Sequence, residues 1–261
     1  TWTLWNHSTG EAVRNFSWND EAAVLSPTGE RLLTTDTWDN AARIRSASTG
    51  EVLRSFEVNR SAIYMSAAFS PTGRYVLIVS CWYEWSIENY TSSMVTRDVS
   101  TGDVLLSSTY QGVVRSAAWS PTGDSLLTAS DDGTAMLWNA STGEGLREFA
   151  GHARELNTAV FSPAGERVLT ASRDWTAKMW NASTGEVLRN FTGHTFEVIS
   201  AVFSPTGDRV LTASGGRYGQ RLGDRSAIMW DASTGEVLQN FTGHSEGLTS
   251  AVFSPTGDHV L

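Results

Sequence analysis

An all-β chain assembled from copies of a four-stranded unit is the fold class this sequence predicts, and three observations carry it. Ser26-Pro27-Thr28-Gly29 recurs at 70, 120, 162, 204 and 254, with Ala164 replacing the Thr in the fourth copy. A second phrase, Ser-Thr-Gly followed by Glu or Asp, closes on Gly10, Gly50, Gly102, Gly143, Gly185 and Gly235. Copies lie 40 to 42 residues apart, stretching to between 44 and 52 in places. No segment shows the apolar period of a long helix, and a strand-rich repeat of about 40–45 residues points to one blade of a β-propeller.

The cleanest copy, Ala150 to Phe191, justifies the elements in order. Asn157 to Phe161 alternates and is rich in β-branched and aromatic residues, which predicts the first strand, a. Ser162-Pro163-Ala164-Gly165 places Pro second and Gly fourth, as a type I turn prefers. Arg167 to Ala171 is strand b, followed by a tight turn at Ser172-Arg173-Asp174. Thr176 to Trp180 is strand c. Asn181 to Gly185 is a second turn, whose Gly can take a positive φ without strain, and Val187 to Phe191 is strand d. Two residues before the last residue of strand a stand Ala23, Ala67, Ala117, Ala159, Ala201 and Ala251. A small side chain there suits innermost strands that converge on a crowded axis.

The chain resembles the WD-repeat β-propeller family over essentially its whole length. Gly-His pairs open repeats at Gly151-His152, Gly193-His194 and Gly243-His244. Strand c ends in Trp138-Asn139, Trp180-Asn181, Trp230-Asp231 and Trp5-Asn6, similar to the family's Trp-Asp dipeptide. A Ser-x-Asp-x-Thr turn runs from Ser130 to Thr134 and again from Ser172 to Thr176. The resemblance implies a hydrogen-bonded chain pinning each blade, formed here by His152, Thr170 or Ser172, Asp174 and Trp180, with His194 and His244 in the matching slot. The fourth repeat keeps every element. Repeats beginning near Asn19, Glu57 and Gln111 have no Gly-His pair, Arg45 and Arg97 stand in the Trp position, and these blades are expected to lack the full chain.

Residues 1–261 read as one six-bladed domain, with blades at about 17–56, 57–110, 111–149, 150–191, 192–241, and 242–261 completed by 1–16. Thr1 to Asn6 aligns with Thr134 to Asn139, so the chain opens at strand c and ends inside strand b. Pairing those N-terminal strands with the C-terminal ones would close the ring and remove exposed sheet edges. The joint is short by about six residues against the repeat, and with no initiator Met the chain reads as a fragment of a longer protein.

Composition narrows the function. Hydrophobic residues make up 40% of the chain and include 11 Trp, ample for a core. A net charge of -9 is a poor match for nucleic acid or anionic membrane, and no apolar run is long enough to span a bilayer. Cys81 is the single cysteine, which points to a reducing, cytoplasmic setting. Asn-x-Ser/Thr sequences at Asn6, Asn15, Asn59, Asn89, Asn139, Asn181, Asn190 and Asn240 are mostly copies of two repeat positions and read as unmodified turn and strand-end residues.

Catalytic chemistry finds little support. Three of the five His share one repeated slot, and no Ser or Cys nucleophile stands beside a His and an acid. Recurrent Glu and Asp after the turns mark a solvated rim, and neither metal-ligand spacing nor a cofactor motif is present. Gly215 to Gly223 lacks the Gly-Lys-Ser/Thr of a phosphate loop.

Two insertions stand out between strands b and c: Trp82 to Tyr90 in the second repeat and Gly215 to Gly223 in the fifth. Surface loops lengthen at little cost, but several large aromatics in an exposed loop are unusual without a partner. In a six-bladed ring the insertions would lie half a ring apart on the face of the loops entering strand a. The expectation is therefore a non-catalytic scaffold that meets protein or peptide partners through Trp82, Tyr83, Trp85, Arg217, Tyr218 and Arg221. The alternatives are a subunit docked by its rim in a larger complex, and a regulatory or sensory domain of a longer protein.

Overall fold

The computed structural model describes residues 2–5, 12–16, 22–58, 62–84, 89–215 and 224–261. The chain divides into two compact units, 1–111 and 112–261. In the first, β1 (Trp2–Trp5) and β2 (Ala12–Phe16) pair with each other. β3 (Ala22–Leu25), β4 (Arg31–Asp36), β5 (Ala41–Ser46) and β6 (Val52–Glu57) form one four-stranded sheet. β7 (Tyr64–Phe69), β8 (Tyr75–Glu84), β9 (Asn89–Asp98) and β10 (Val104–Gln111) form the next.

The second unit holds three such sheets. They are β11 (Val114–Trp119) to β14 (Gly145–Ala150) with β12 (Ser125–Ser130) and β13 (Thr134–Asn139) between, then β15 (Leu156–Phe161), β16 (Arg167–Ser172), β17 (Thr176–Asn181) and β18 (Val187–Thr192). The third contains β19 (Val198–Phe203), β20 (Arg209–Ser214), β21 (Ala227–Asp231) and β22 (Val237–Phe241). Beyond it Phe253 bridges Val260, and Val252 and Leu261 exchange backbone bonds. Every four-stranded sheet is an antiparallel meander in the order a, b, c, d. Five blade-like sheets are thus in place.

Each repeated phrase has a physical job. In all six Ser-Pro-x-Gly turns the Gly N–H donates to the Ser carbonyl and the Ser Oγ accepts the N–H five residues on. Gly165 has φ +78°, and a Cβ there would lie 3.5 Å from Pro121 of the preceding repeat. In the Ser-Thr-Gly turn, Asn181 Oδ1 accepts from Ser183 N and Oγ and from Thr184 N, and Asn139 and Asp231 do the same in their repeats. Those bonds hold the Asp231 carboxyl down at about 2.

Burial follows strand order. Strand b is buried nearly end to end (Val168 to Ser172), because sheets cover both of its faces. Strand d is mostly exposed, and in the third and fourth repeats its one buried Phe packs on the Trp of the next sheet. Phe149 meets Trp180 at 5.9 Å and Phe191 meets Trp230 at 5.6 Å between ring centroids. Arg147 and Arg189 on strand d also reach across, donating to the Ser183 and Ser233 carbonyls of the next repeat.

The expected b–c loop in the second repeat is a correction. In its described part it continues the strands: Trp82 pairs with Thr91, Tyr83 with Tyr90 and Glu84 with Asn89. Alternating aromatic and β-branched residues favour a ladder over an irregular loop.

The b–c turns end on a left-handed residue, Gly133 in the third repeat (φ +86°) and Asn40 in the first (φ +55°). In the fourth that residue is Trp175, at φ +74°. Left-handed backbone costs an L-residue roughly 1–2 kcal/mol, part of which glycine's extra chain entropy returns. Trp175→Gly is expected to stabilise the protein by about 0.5–1 kcal/mol in urea unfolding, and Trp175→Ala to give no such gain. A loss for Trp175→Gly would mean that the indole contributes more packing than its exposure suggests.

Candidate functional site

The b–c connections are held by a chain of hydrogen bonds that starts in the core. In the fourth repeat Trp180 Nε1–H donates to Thr170 Oγ1 at 2.9 Å, Thr170 Oγ1 meets His152 Nε2 at 2.8 Å, and His152 Nδ1 donates to Asp174 Oδ2 at 2.8 Å. Asp174 also accepts from Ala153 N–H and from Thr176 N and Oγ1. The loop before strand a and the turn between b and c are thereby one rigid corner. Ser172, the other candidate for the middle of the chain, bonds the Arg154 and Glu155 carbonyls instead.

The fifth repeat, whose His194 was expected in the matching slot, has the same chain. Trp230 Nε1–H donates to Thr212 Oγ1 at 2.8 Å, Thr212 meets His194 Nε2 at 2.8 Å, and His194 Nδ1 meets Asp224 Oδ2 at 2.7 Å. Asp224 was hidden by the preceding insertion. Its signal was Asp224-Arg225-Ser226, which copies Asp174-Trp175-Thr176. His244 is exposed.

The other repeats keep fragments. Trp138 donates to Thr128 at 2.9 Å in the third. In the first, buried Arg45 occupies the Trp register and its Nε–H donates to Thr34 at 3.3 Å, so one link survives. In the second, Ile78 replaces the Thr, and Arg97 lies over the Phe56 ring at 5.4 Å. Arg thus takes over the donor role of Trp in one blade and its ring contact in the next.

Burial works to raise the Asp174 carboxyl, but the bonds from His152, Thr176 and Ala153 outweigh it and hold it well below the usual carboxylate range. Asp224 is lowered against the same burial by Ser226, His194 and Thr195. Burial also lowers His194, against the pull of Asp224. A neutral His194 with its proton on Nδ1 then accepts the Thr212 hydroxyl proton at Nε2. The order Thr, His, Asp is that of a hydrolytic triad. Thr170 and Thr212 are both fully buried and already accept an indole N–H, so no substrate reaches either hydroxyl.

The b–c connections of the first, second and fourth repeats present aromatics. Trp82 and Tyr83 are half-buried on the extended β8; Trp82 Nε1–H donates to Glu84 Oε2, and Tyr83 stands edge-on to Tyr90 at 5.2 Å. Trp85, Arg217, Tyr218 and Arg221 lie outside the described residues. Two residues that sequence reasoning passed over join this set: Trp38, 88% exposed in the b–c turn of the first repeat, and exposed Trp175 in that of the fourth. A large aromatic inside a turn of otherwise small and polar residues was the available signal. Among the described residues no three His, Cys, Asp or Glu side chains are grouped to hold a metal ion.

The sequence profile of the family described as WD domain, G-beta repeat matches residues 103–139, 143–181, 185–231 and 235–261, more than half of the chain. No curated protein matches it.

Removing a carboxylate from an intact corner strands its partners. Asp174→Ala and Asp224→Ala are each expected to cost about 1–3 kcal/mol in urea unfolding, and Asp39→Ala less, because its blade has no His to strand. Equal losses at all three positions would show that the complete chain does not set blade stability.

The lowered groups also fix a pH dependence. The unfolded chain takes up a proton at His194 below its ordinary value of 6.5 while the folded chain resists, so stability falls as pH drops through that region. The carboxylates add a second loss below their ordinary 3.8. His194→Gln is expected to flatten the first limb and leave the Asp174 share of the second, as read from urea midpoints across the pH range.

Proposed function

The chain belongs to the WD-repeat family, and from that premise we propose that it is a non-catalytic scaffold whose b–c connections bind protein or peptide partners. The family's repeats generally mediate protein–protein interaction. The observation that carries the proposal is the set of exposed and half-exposed aromatics at those connections, Trp38, Trp82, Tyr83 and Trp175, held by a buried hydrogen-bonded chain in the fourth repeat and by a ladder of cross-strand pairs in the second. Rigid aromatic anchors lose little conformational entropy on binding and dominate interface hot spots. Trp82, Tyr83 and Trp85, with Arg217, Tyr218 and Arg221 of the fifth repeat, are the proposed contacts.

Cytoplasmic location belongs to the same reading and is supported by the single, buried Cys81. No described helix is long and apolar enough to cross a membrane. Six turn copies, and the match of residues 1–6 to 134–139, support a six-bladed closure with residues 1–16 and 242–261 sharing a sheet.

A second reading has its own observation. Strand d starts with exposed apolar pairs, Val52-Leu53, Val104-Leu105 and Val237-Leu238, along the free edge of each sheet. That pattern suits a subunit docked by its rim in a larger complex.

The double variant Trp82→Ala, Trp85→Ala is expected to weaken capture of the native partner by at least about tenfold, or about 1.4 kcal/mol. Thr122→Ala, in an a–b turn at the other end of its sheet, should leave capture unchanged. Capture that survives the double variant but fails when Leu105 and Leu238 become Ser would favour rim docking.

A further inference from the structure

We propose that two copies of this chain join edge to edge through β10, the outer strand of the second repeat, paired antiparallel about a two-fold axis at Ser108. β10 is the last strand of its sheet and pairs with β9 on one side. A strand of eight residues turns about half of its N–H and C=O groups to the other side. Among the described residues no strand meets them there. Such an edge is a template for another strand unless something blunts it.

The other four-stranded sheets do blunt theirs. β6 carries Arg54 and Glu57, β14 carries Arg147 and Glu148, and β18 carries Arg189. Each of those arginines reaches the turn of the next repeat, Arg54 by donating to the Ser100 and Thr101 carbonyls. β22 lacks charge but is five residues long. β10 reads Val-Leu-Leu-Ser-Ser-Thr-Tyr-Gln, with no charge, Pro or Gly, and buried Leu106 stands where the others have Arg. Its length follows from β9, which runs for ten residues into the aromatic hairpin, so that β10 continues as far as Gln111 opposite Thr91.

The strand is complementary to itself, and that selects the occupant. A two-fold axis normal to the sheet keeps every side chain on its own face, so residues of like parity come opposite one another. The ladder to β9 is regular from Leu106 to Gln111, beyond a bulge. Centring on Ser108 keeps the pairing in that stretch. Leu106 then opposes Tyr110 of the second copy on the inward face, and Ser107 opposes its Thr109 on the exposed face. Aliphatic–aromatic and hydroxyl pairs are favourable cross-strand neighbours, and no like charges are opposed. A net charge of -9 makes two copies repel in general, and a strand without charge adds nothing to that repulsion. The pairing uses up the same edge in both copies, so assembly closes at a dimer. One strand pair is smaller than the about 1,200–2,000 Å² of a stable interface, so the dimer is reversible. It presents two sets of b–c connections, which strengthens capture of a multivalent partner.

The test is sedimentation velocity of the whole chain, which is expected to pass from monomer to dimer between about 1 and about 300 µM. Ser107→Lys with Thr109→Lys sets lysine against lysine at exposed positions and should weaken the dimer at least about tenfold. Ser107→Glu with Thr109→Glu should do the same. An equimolar mixture of the two variants is expected to restore the dimer, because each lysine then meets a glutamate. Gln239→Lys, on the exposed part of β22, should leave association unchanged. Ser108→Cys is expected to give a disulfide-linked dimer on mild oxidation, since opposed Cα atoms lie about 4.5–5.5 Å apart in an antiparallel pair. Cys81 is buried, so the parent chain should not cross-link. The Trp82→Ala, Trp85→Ala variant should dimerise like the parent, which separates this inference from the partner-binding reading. A chain that stays monomeric at about 300 µM, or larger species without a dimer plateau, overturns the inference. So does a mixture no more dimeric than either charge variant alone, or an equal loss with Gln239→Lys.

Discussion

In the fourth and fifth repeats the b–c turn depends on a threonine hydroxyl in the middle of strand b. At Thr170 and Thr212 that oxygen accepts an indole N–H from strand c and meets a histidine from the loop before strand a. Both sites are shut off from water, where hydrogen bonds are electrostatically strong and an unmade one is costly. One buried atom therefore ties strand b to strand c and both to the incoming loop. The aspartate at the far end passes that constraint to the turn. A surface turn inherits the rigidity of the core.

Where the threonine or its partners change, the tie loosens in steps. Thr34 keeps a donor because Arg45 can place Nε–H where an indole would. Ile78 ends the chain altogether, and its repeat is the one whose b and c strands run on into an aromatic hairpin. A ladder of cross-strand pairs there supplies the order that a His–Asp corner supplies elsewhere. The two solutions suit different surfaces. A pinned turn shows one or two side chains, whereas an extended hairpin offers two faces, Trp82 with Glu84 on one and Tyr83 with Tyr90 on the other.

Most of the fold was legible because its signals are local and repeated. Ser-Pro-x-Gly and Asn-x-Ser-Thr-Gly encode closed hydrogen-bonded turns, and the strands between them alternate or bury as their neighbours demand. What escaped was set by spacing or by substitution. Asp224 lies ten residues beyond Ser214, so the regular interval did not lead to it. Arg45 and Arg97 read as losses of Trp, because a sequence shows the missing ring and not the donor or the stacking plane that guanidinium shares with it. Trp38 and Trp175 sit in turn positions where composition suggests polarity, and only their exposure sets them apart from core tryptophans.

That exposure is tolerable because the sheets do not need those rings. Inward Phe149 and Phe191, each packed on the next repeat's Trp, and the arginines that reach the neighbouring turn supply cohesion between adjacent sheets. Free of packing duties, the b–c turns can vary in length and residue type without disturbing strand register. The rim differs in this respect. Its exposed Val-Leu pairs come at the same place in repeat after repeat, just past the turn whose bonds define the start of strand d, so their placement follows from the repeat itself. The aromatics follow no such rule: Trp38, Trp82 and Trp175 each break the pattern of their own turn in a different way. Variation imposed on an otherwise periodic scaffold fits the partner-binding role proposed for the b–c connections.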